Sequence, residues 1–527
     1  MKSQTSRRLL ITTFITLLAL TQLATASKPN DEINFLFEVT NVGAKGPKYN
    51  VQRLPWVIDY YKEELTPSGQ RQHYYLGYNT NQRYKTFFQN SGKPFNENQF
   101  YIRAAATNQT MSAAYSQAFG VLGMQFNTNL PFGNSDQRIN PPFTFAYNPN
   151  SIPFTTPLPN KIKSFPVHSR LDPNKDLLFA AREACPSVYA SMQAQRANAL
   201  SYVGSSTALK SFVNRMLAKY GLPSNWESGL TLLERCSAIG DFAIQDLHNN
   251  ANPTLNPTAS AQNRADLNLL TRCVSYDELS WFKNGITNAR VLGSALVGQV
   301  QAWFDEKNGH LVSQDPKKLG KNGLNKERQY LLFNGHDSTL VALLHSRGIL
   351  NNDCLAKDLI NGKASSTSTC PNTPPLASNL VFELVTKRNT GNRVVKVSLN
   401  GAYIDYCGNG QKDEYGEYYC AYTTWNNFVL GQVIYPGYAD KCGTTMAEIH
   451  RGTGIEHEEE EIKEKKVACA DEAVATVKKT GFEFDYVYVS ALVFLSALVV
   501  VLGVRLASVK KRNSELANNI ENYKVMN

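Results

Sequence analysis

The sequence predicts an α/β protein, a sheet domain split by an all-helical insertion, followed by one helix that crosses a membrane. Three observations predict it. Short apolar runs bounded by turn residues alternate with helical patterns at both ends of the main region. Between Leu177 and Gly309 only the three- and four-residue apolar spacing of helices is found. Near the C-terminus, Tyr486 to Val504 is an uncharged run of 19 residues, long enough to span hydrocarbon.

The chain opens with Lys2, Arg7 and Arg8, then an apolar stretch from Leu9 to Ala24, then Ala24-Thr25-Ala26. A positive region, an apolar core and small residues in an A-x-A pattern make residues 1–26 a signal peptide; the alternative is an uncleaved anchor helix. Ile33 to Val39 reads as a buried strand running into the turn residues Asn41, Gly43, Gly46 and Pro47. Thr66 is a natural N-cap and Pro67 suits the first helical position, so a helix begins there. Gln99 to Arg103 is expected as a second strand, with a helix from about Gln109 to Leu122. Phe126 to Asn174, rich in Pro, Asn and Phe, reads as a long ordered loop.

Helices are expected over Ala208–Tyr220, Leu230–Leu247 and Ala289–Phe304. Gln329 to Phe333 is a short strand, and Ser338 to Ser346 starts another helix. Leu380–Lys387 and Arg393–Leu399 form a strand hairpin. His457 to Lys466, acidic then basic, is a solvated helix suited to a stalk. The span from Tyr486 has Glu483 and Asp485 before it and Arg505, Lys510, Lys511 and Arg512 after it. Basic residues mark the cytoplasmic side, so the bulk of the chain lies outside the cell or in a lumen. The alternative, a buried core helix, fits the charged flanks poorly.

The formal charge of +10 over 527 residues is spread along the chain, and no Lys/Arg cluster points to nucleic acid. Nine cysteines occur and none forms a CxxC pair, which leaves no support for a zinc ribbon or a thioredoxin-like site. No cofactor or metal is called for. In an oxidising compartment most cysteines should pair. Cys354 with Cys370 and Cys407 with Cys420 are the local pairs, and Cys469 is left over as the odd one.

Several blocks taken together resemble the histidine acid phosphatases, in branch 2 of the histidine phosphatase superfamily. Leu65 to Tyr84 looks like the family's LT-x-x-G-x-x-Q helix. Tyr101-Ile102-Arg103 with Thr107, Thr110, Ser112 and Ala113 looks like its R-[ST]-T…R-T-x-x-S-A segment. Asn334-Gly335-His336-Asp337-Ser338-Thr339-Leu340 matches its H-D-x-[ST]-L turn, and Pro374 to Ser378 with Val381 to Leu384 matches its P-P-[YF]-A-S…FEL strand entry. The resemblance runs in scattered blocks from Asn34 to Met446. It implies a three-layer α/β sandwich with a helical cap. The implied domains are 31–165 with 310–446 for the split sheet domain and 166–309 for the cap. A charged stalk (447–485), the transmembrane helix (486–504) and a cytoplasmic tail (505–527) follow.

Family members carry R-H-G-x-R-x-P after the first strand; its histidine attacks phosphorus and its arginines grip phosphate. Here the register of Phe37-Glu38-Val39 puts Asn41 at the first arginine, Val42 at the nucleophile and Lys45 at the second arginine, while Gly43 and Pro47 are kept. Gln109 stands at a further arginine. Valine has no lone pair and cannot carry a phosphoryl group; lysine lacks the planar fork of arginine. By the same resemblance Arg103 and His336 are phosphate ligands and Asp337 is the general acid. An alternative for His336 and Asp337 is that they only cap a helix. The sequon Asn108-Gln109-Thr110 is a possible glycan site.

Three functions stay open on these residues. The first is a pseudophosphatase whose ectodomain retains a site for a phosphomonoester or other small anion. The second is a weakened acid phosphatase using direct water attack. The third is a structural surface protein.

Overall fold

The computed structural model describes residues 31–49, 62–89, 99–122, 165–170, 172–282, 286–308, 328–362, 370–432 and 441–443. Its strands are β1 (Asp31–Thr40), β2 (Phe100–Ala104), β3 (Val167–His168), β4 (Tyr330–Asn334), β5 (Asn379–Lys387), β6 (Arg393–Leu399), β7 (Ala402–Tyr403), β8 (Gln411–Lys412) and β9 (Tyr418–Ala421). The helices are α1 (Pro67–Arg83), α2 (Lys85–Gln89), α3 (Asn108–Val121), α4 (Pro186–Gly204), α5 (Thr207–Lys219), α6 (Leu232–Asn249), α7 (Ala261–Leu279), α8 (Ile286–Asn308), α9 (Asp337–His345), α10 (Asn352–Ile360) and α11 (Tyr422–Gln432).

The strands form one mixed sheet in the order β3-β2-β4-β1-β5-β6-β9-β8, with β7 beside β6. β1 to β4 run parallel, and β5 turns antiparallel to β1. β1 and β4 end level, Thr40 opposite Asn334, so the turns that leave them are neighbours. β1 is apolar at Phe35, Leu36, Phe37 and Val39 because both of its faces are covered, and its buried Glu38 accepts hydrogen bonds from Thr80, Gln117, Tyr330 and Asn379. Phe35, Phe37 and Val39 join one core cluster with Leu331, Phe333 and the helices α4 to α10. Leu36 joins the other, with Ile102, Leu332 and α3 residues Ala114 and Ala118.

Local chemistry sets the ends of the helices. Thr66 Oγ1 accepts from the Gly69 N–H at 3.2 Å and Pro67 follows at the first helical position, as expected. Thr231 and Glu234 close a capping box at α6. Helices α1 and α3 cross at small residues, where a Cβ on Gly77 would lie 2.1 Å from the Gln117 carbonyl oxygen.

Among the described residues four disulfides form: Cys354–Cys370 and Cys407–Cys420, the two expected local pairs, with Cys236–Cys273 joining α6 to α7, and Cys185–Cys442. Strand β3 falls in a segment the sequence reads as loop; two residues are too few for an alternating pattern, yet Val167 pairs with Ile102 and His168 with Arg103. The signal peptide, stalk, membrane span, tail and Cys469 lie outside the described residues. Among the described residues no helix is long and apolar enough to cross a membrane.

Candidate functional site

The carboxyl ends of β1 and β4 deliver two turns side by side, the place where open α/β sheets hold ligands. The β1 turn is Asn41 to Pro47; the β4 turn is Asn334 to Asp337, which enters α9.

Asn41 is fully buried and every arm of its amide is engaged. Its Nδ2 donates to Asp337 Oδ1 at 2.7 Å and to the Pro375 carbonyl at 2.9 Å, and its Oδ1 accepts from the Ser378 N–H at 2.6 Å. The residue standing at the first arginine position is thus a pin between the β4 turn and the entry to β5. Val42 is 1% exposed, and its carbonyl accepts from the Ala377 N–H at 2.9 Å. Gly43 is kept for a steric reason, since a Cβ there would lie 2.9 Å from the Gly69 carbonyl oxygen of α1. Ala44 is held on both sides: its N–H donates to Gln72 Oε1 at 2.8 Å, and its carbonyl accepts from Thr66 Oγ1 at 2.9 Å.

Lys45 meets the insertion. Its N–H donates to Gln245 Oε1 of α6 at 2.8 Å, and its ammonium pairs with Glu63 at 3.7 Å. Lys48 N–H donates to Asp241 Oδ2 of α6 at 3.0 Å. Burial alone would pull the Lys45 ammonium down, but the carboxylates of Asp241, Asp337, Glu63 and Glu278 outweigh it and its pKa is raised. The one cation left in the motif stands among four acids. Arg182, nearby, donates to Glu278 at 2.6 Å. Among the described residues no group of acidic, His or Cys side chains is arranged to hold a metal ion.

His336 is the N-cap of α9, and its N–H donates to Thr339 Oγ1 at 3.3 Å. Burial, with the Lys45 charge second, lowers its pKa to about 4, so the ring is neutral above that pH. Asp337 opens the helix. Burial, helped by Glu278 and Asp241 and opposed by Lys45 and the Asn41 hydrogen bond, pushes its carboxyl up to about 6. An acid with that pKa can both hold and release a proton near neutral pH.

Arg103 lies near the carboxyl end of β2, opposite Phe333 of β4. It is 5% exposed, and its Nη2 donates to both oxygens of the buried Asp176, at 2.9 and 2.8 Å. The charge read from sequence as an anion ligand is matched by a carboxylate. Gln109, in the first turn of α3, is 8% exposed, and its Oε1 has no hydrogen-bond partner among the described residues. Asn108 of the sequon is exposed beside it, while the Thr110 hydroxyl is buried and donates to the Ala105 carbonyl.

The other described histidines have their own neighbours. His73 is buried against Gln117 at 3.1 Å, His345 contacts the Leu350 carbonyl at 3.1 Å, and His168 stacks on Tyr101 at 4.6 Å. His248 of α6 meets Gln72 at 3.2 Å, and Gln72 in turn holds the Ala44 N–H. The turns therefore bring together Asn41, Lys45, His336 and Asp337, joined by Asp241, Gln245 and Glu278 from the helical insertion. Sequence reasoning missed those last three. They belong to no motif, and their only signal is polarity on otherwise ordinary helical faces.

Comparison with known proteins identifies the family and the fold. A family model, histidine phosphatase superfamily (branch 2), matches residues 25–400. The chain is 25% identical over 374 residues to lysosomal acid phosphatase of Xenopus laevis, covering 69% of each chain. Its fold is similar to Hafnia alvei phytase in complex with tartrate. The TM-score is 0.52 at 12% identity, over 79% of this chain and 99% of that one.

Proposed function

The chain belongs to branch 2 of the histidine phosphatase superfamily, and on that premise we propose that it is a pseudophosphatase. The fold is retained and transfer of a phosphoryl group to histidine is lost. One observation carries the reading: Val42, a buried isopropyl group, stands where the family pattern puts its nucleophile. A covalent route needs a lone pair at that point. The surroundings support the same reading. Asn41 is fully engaged as a structural pin, Gln109 is uncharged, and Lys45 faces Asp241, Asp337, Glu63 and Glu278. A doubly charged phosphate entering there meets the Lys45 ammonium already engaged by carboxylates, which offsets its attraction.

The sequence places this domain on a membrane anchor (486–504) behind a signal peptide (1–26), with its bulk in a lumen or outside the cell. Four disulfides support an oxidising compartment. Similarity to a lysosomal acid phosphatase supports the secretory route, as far as the plasma, lysosomal or vacuolar membrane.

A second reading has one observation in its favour. The Asp337 carboxyl at about 6 is a competent acid, and with His336 and Lys45 it could assist slow attack by water. The test is hydrolysis of 4-nitrophenyl phosphate by the full-length protein between pH 4 and 8, beside Asp337→Asn. Turnover equal in both proteins and no base-stable phosphoprotein after an alkaline quench is the expected result. Turnover that disappears in Asp337→Asn ends the pseudophosphatase reading in favour of water attack. A trapped phosphohistidine ends both.

A further inference from the structure

The sequon Asn108-Gln109-Thr110 has no part in the chemistry discussed so far. It is the only Asn-x-Ser/Thr triplet of the chain without a central proline. Asn252 and Asn256 each have threonine two residues on, but the proline between bars transfer of a glycan. The fold sorts the three residues of the sequon by exposure. Asn108 is exposed at the first position of α3, while Gln109 and Thr110 are buried. The Thr110 hydroxyl faces the Ala105 and Thr107 carbonyls of the turn between β2 and α3. That hydroxyl is needed only while the nascent chain is unfolded, whereas the asparagine must have open solvent once the helix has formed. The burial pattern meets both conditions.

The helix also offers the sugars a surface. At 3.6 residues per turn Asn108, Ser112 and Tyr115 fall on one stripe of α3. Ala113, Ala114, Gln117 and Ala118 are buried, so that stripe is left toward solvent. Ser112 is half-buried and small, and the Tyr115 ring beyond it is 39% exposed. Seven residues of helix put Tyr115 about 10 Å from Asn108. The negative face of an aromatic ring attracts the polarised C–H bonds of a sugar, and a serine between them leaves the path clear.

We propose that Asn108 carries an N-linked oligosaccharide whose first sugars lie along α3 on the Tyr115 ring. In its formation Asn108 Nδ2 attacks C1 of the first N-acetylglucosamine of an oligosaccharide carried on a lipid diphosphate. The N–C1 bond forms, the bond from C1 to the diphosphate oxygen breaks, and one amide proton passes to solvent. The inference rests on the secretory route given above and not on the loss of catalysis.

The experiment expresses the full-length protein in a eukaryotic host and maps its peptides by mass spectrometry after peptide N-glycosidase F in heavy-oxygen water. Conversion of Asn108 to labelled aspartate is expected, with a gain in gel mobility that is absent from Asn108→Gln. An unlabelled Asn108, or a mobility gain that persists in Asn108→Gln, overturns the proposal. Maleimide labelling of the denatured, unreduced protein then separates the two premises. Blocked cysteines with an unlabelled Asn108 sink the site alone, whereas reactive Cys185, Cys236 and Cys354 sink the secretory route with it. The contact is tested by timing glycan release from the native protein. Tyr115→Ser should release it about threefold faster than the natural protein, the scale of one weak aromatic contact. Tyr415→Ser, altering a ring 59% exposed between β8 and β9 at the opposite edge of the sheet, should release it at the natural rate. Equal rates in the natural protein and Tyr115→Ser, or the same acceleration in Tyr415→Ser, overturn the placing of the sugars on Tyr115.

Discussion

The two turns at the carboxyl ends of β1 and β4 are next to one another, in register, and differ in how far they follow the family pattern on the proposed reading. The β4 turn carries His336 and Asp337, the residues the proposed reading takes as kept from the family pattern, on a helix N-terminus. The β1 turn retains only the residues that the backbone needs. Gly43 stays because a side chain would strike α1, and Ala44 stays tied to Thr66 and Gln72. On the proposed reading, Asn41, Val42 and Lys45 stand at the positions that the family pattern gives to chemistry. Of these, Asn41 is wired into the packing, Val42 is buried, and Lys45 is surrounded by acids. A catalytic turn thus has two separable sets of requirements. Steric and hydrogen-bond demands come from neighbours that remain, whereas the demand for an imidazole and guanidinium groups comes only from substrate.

The largest effect that tests this contrast is at Gly69, where α1 presses on the β1 turn. A Cβ there would sit 2.1 Å from the Ala44 carbonyl oxygen, a backbone atom that cannot step aside without moving the turn. Gly69→Ala should cost about 3 kcal/mol or more of stability, read by urea unfolding. A loss under about 1 kcal/mol would mean the β1 turn is free to move, and that its retained glycines are not explained by packing.

Asn41→Ala comes next. It removes three side-chain hydrogen bonds and leaves the Ser378 N–H and one Asp337 oxygen without that partner. An unsatisfied buried group costs about 1–3 kcal/mol, so a loss of about 2 kcal/mol is expected. Asn41→Arg, the restoring change, should be no better tolerated. It buries a charge in a space now shaped for an amide, and it should bring no aryl phosphate hydrolysis while Val42 remains. If Asn41→Arg proves more stable than the natural protein, the first arginine position is still open for a cation and the turn has been rebuilt less than the hydrogen bonds imply.

How much of this could be read from the chain depends on how local each feature is. β1 was legible because Phe35, Leu36, Phe37 and Val39 cluster where the strand is covered on both faces, and α1 because Thr66-Pro67 is a cap written in two residues. The pair of turns followed from motif blocks that lie far apart but in order. Arg103 shows where such reading stops. Its type and strand position were visible, but its partner Asp176 is 73 positions away on a short 3₁₀ turn that no periodicity announces. The acids around Lys45 are a similar case. Asp241 and Glu278 sit on helices whose order along the sequence says nothing about which polar face meets the β1 turn. Charge in the site is therefore a tertiary property, set by acids that residue types along the chain do not reveal.

The smallest effect bears on whether the β4 turn is kept for stability at all. Asp337 has a folded pKa of about 6 against an ordinary 3.8, raised first by burial and then by Glu278 and Asp241. A raised carboxyl pKa means that the folded protein holds the proton more tightly than the unfolded chain. The ionised form is then a burden, present above pH 6 and relieved as pH falls from 6 towards 4. Asparagine cannot ionise, and its carbonyl oxygen can still accept from Asn41 Nδ2. Asp337→Asn should therefore be more stable than the natural protein by about 1 kcal/mol at pH 8, after allowance for solvent screening, with the gap closing by pH 4. Unfolding midpoints at the two pH values measure it. A variant less stable at pH 8 would make Asp337 a structural member of the same kind as Asn41, and the two turns would then differ in sequence but not in what holds them. A variant more stable at pH 8 would mean that the β4 turn carries a residue the fold is better without, which packing does not explain and a ligand would.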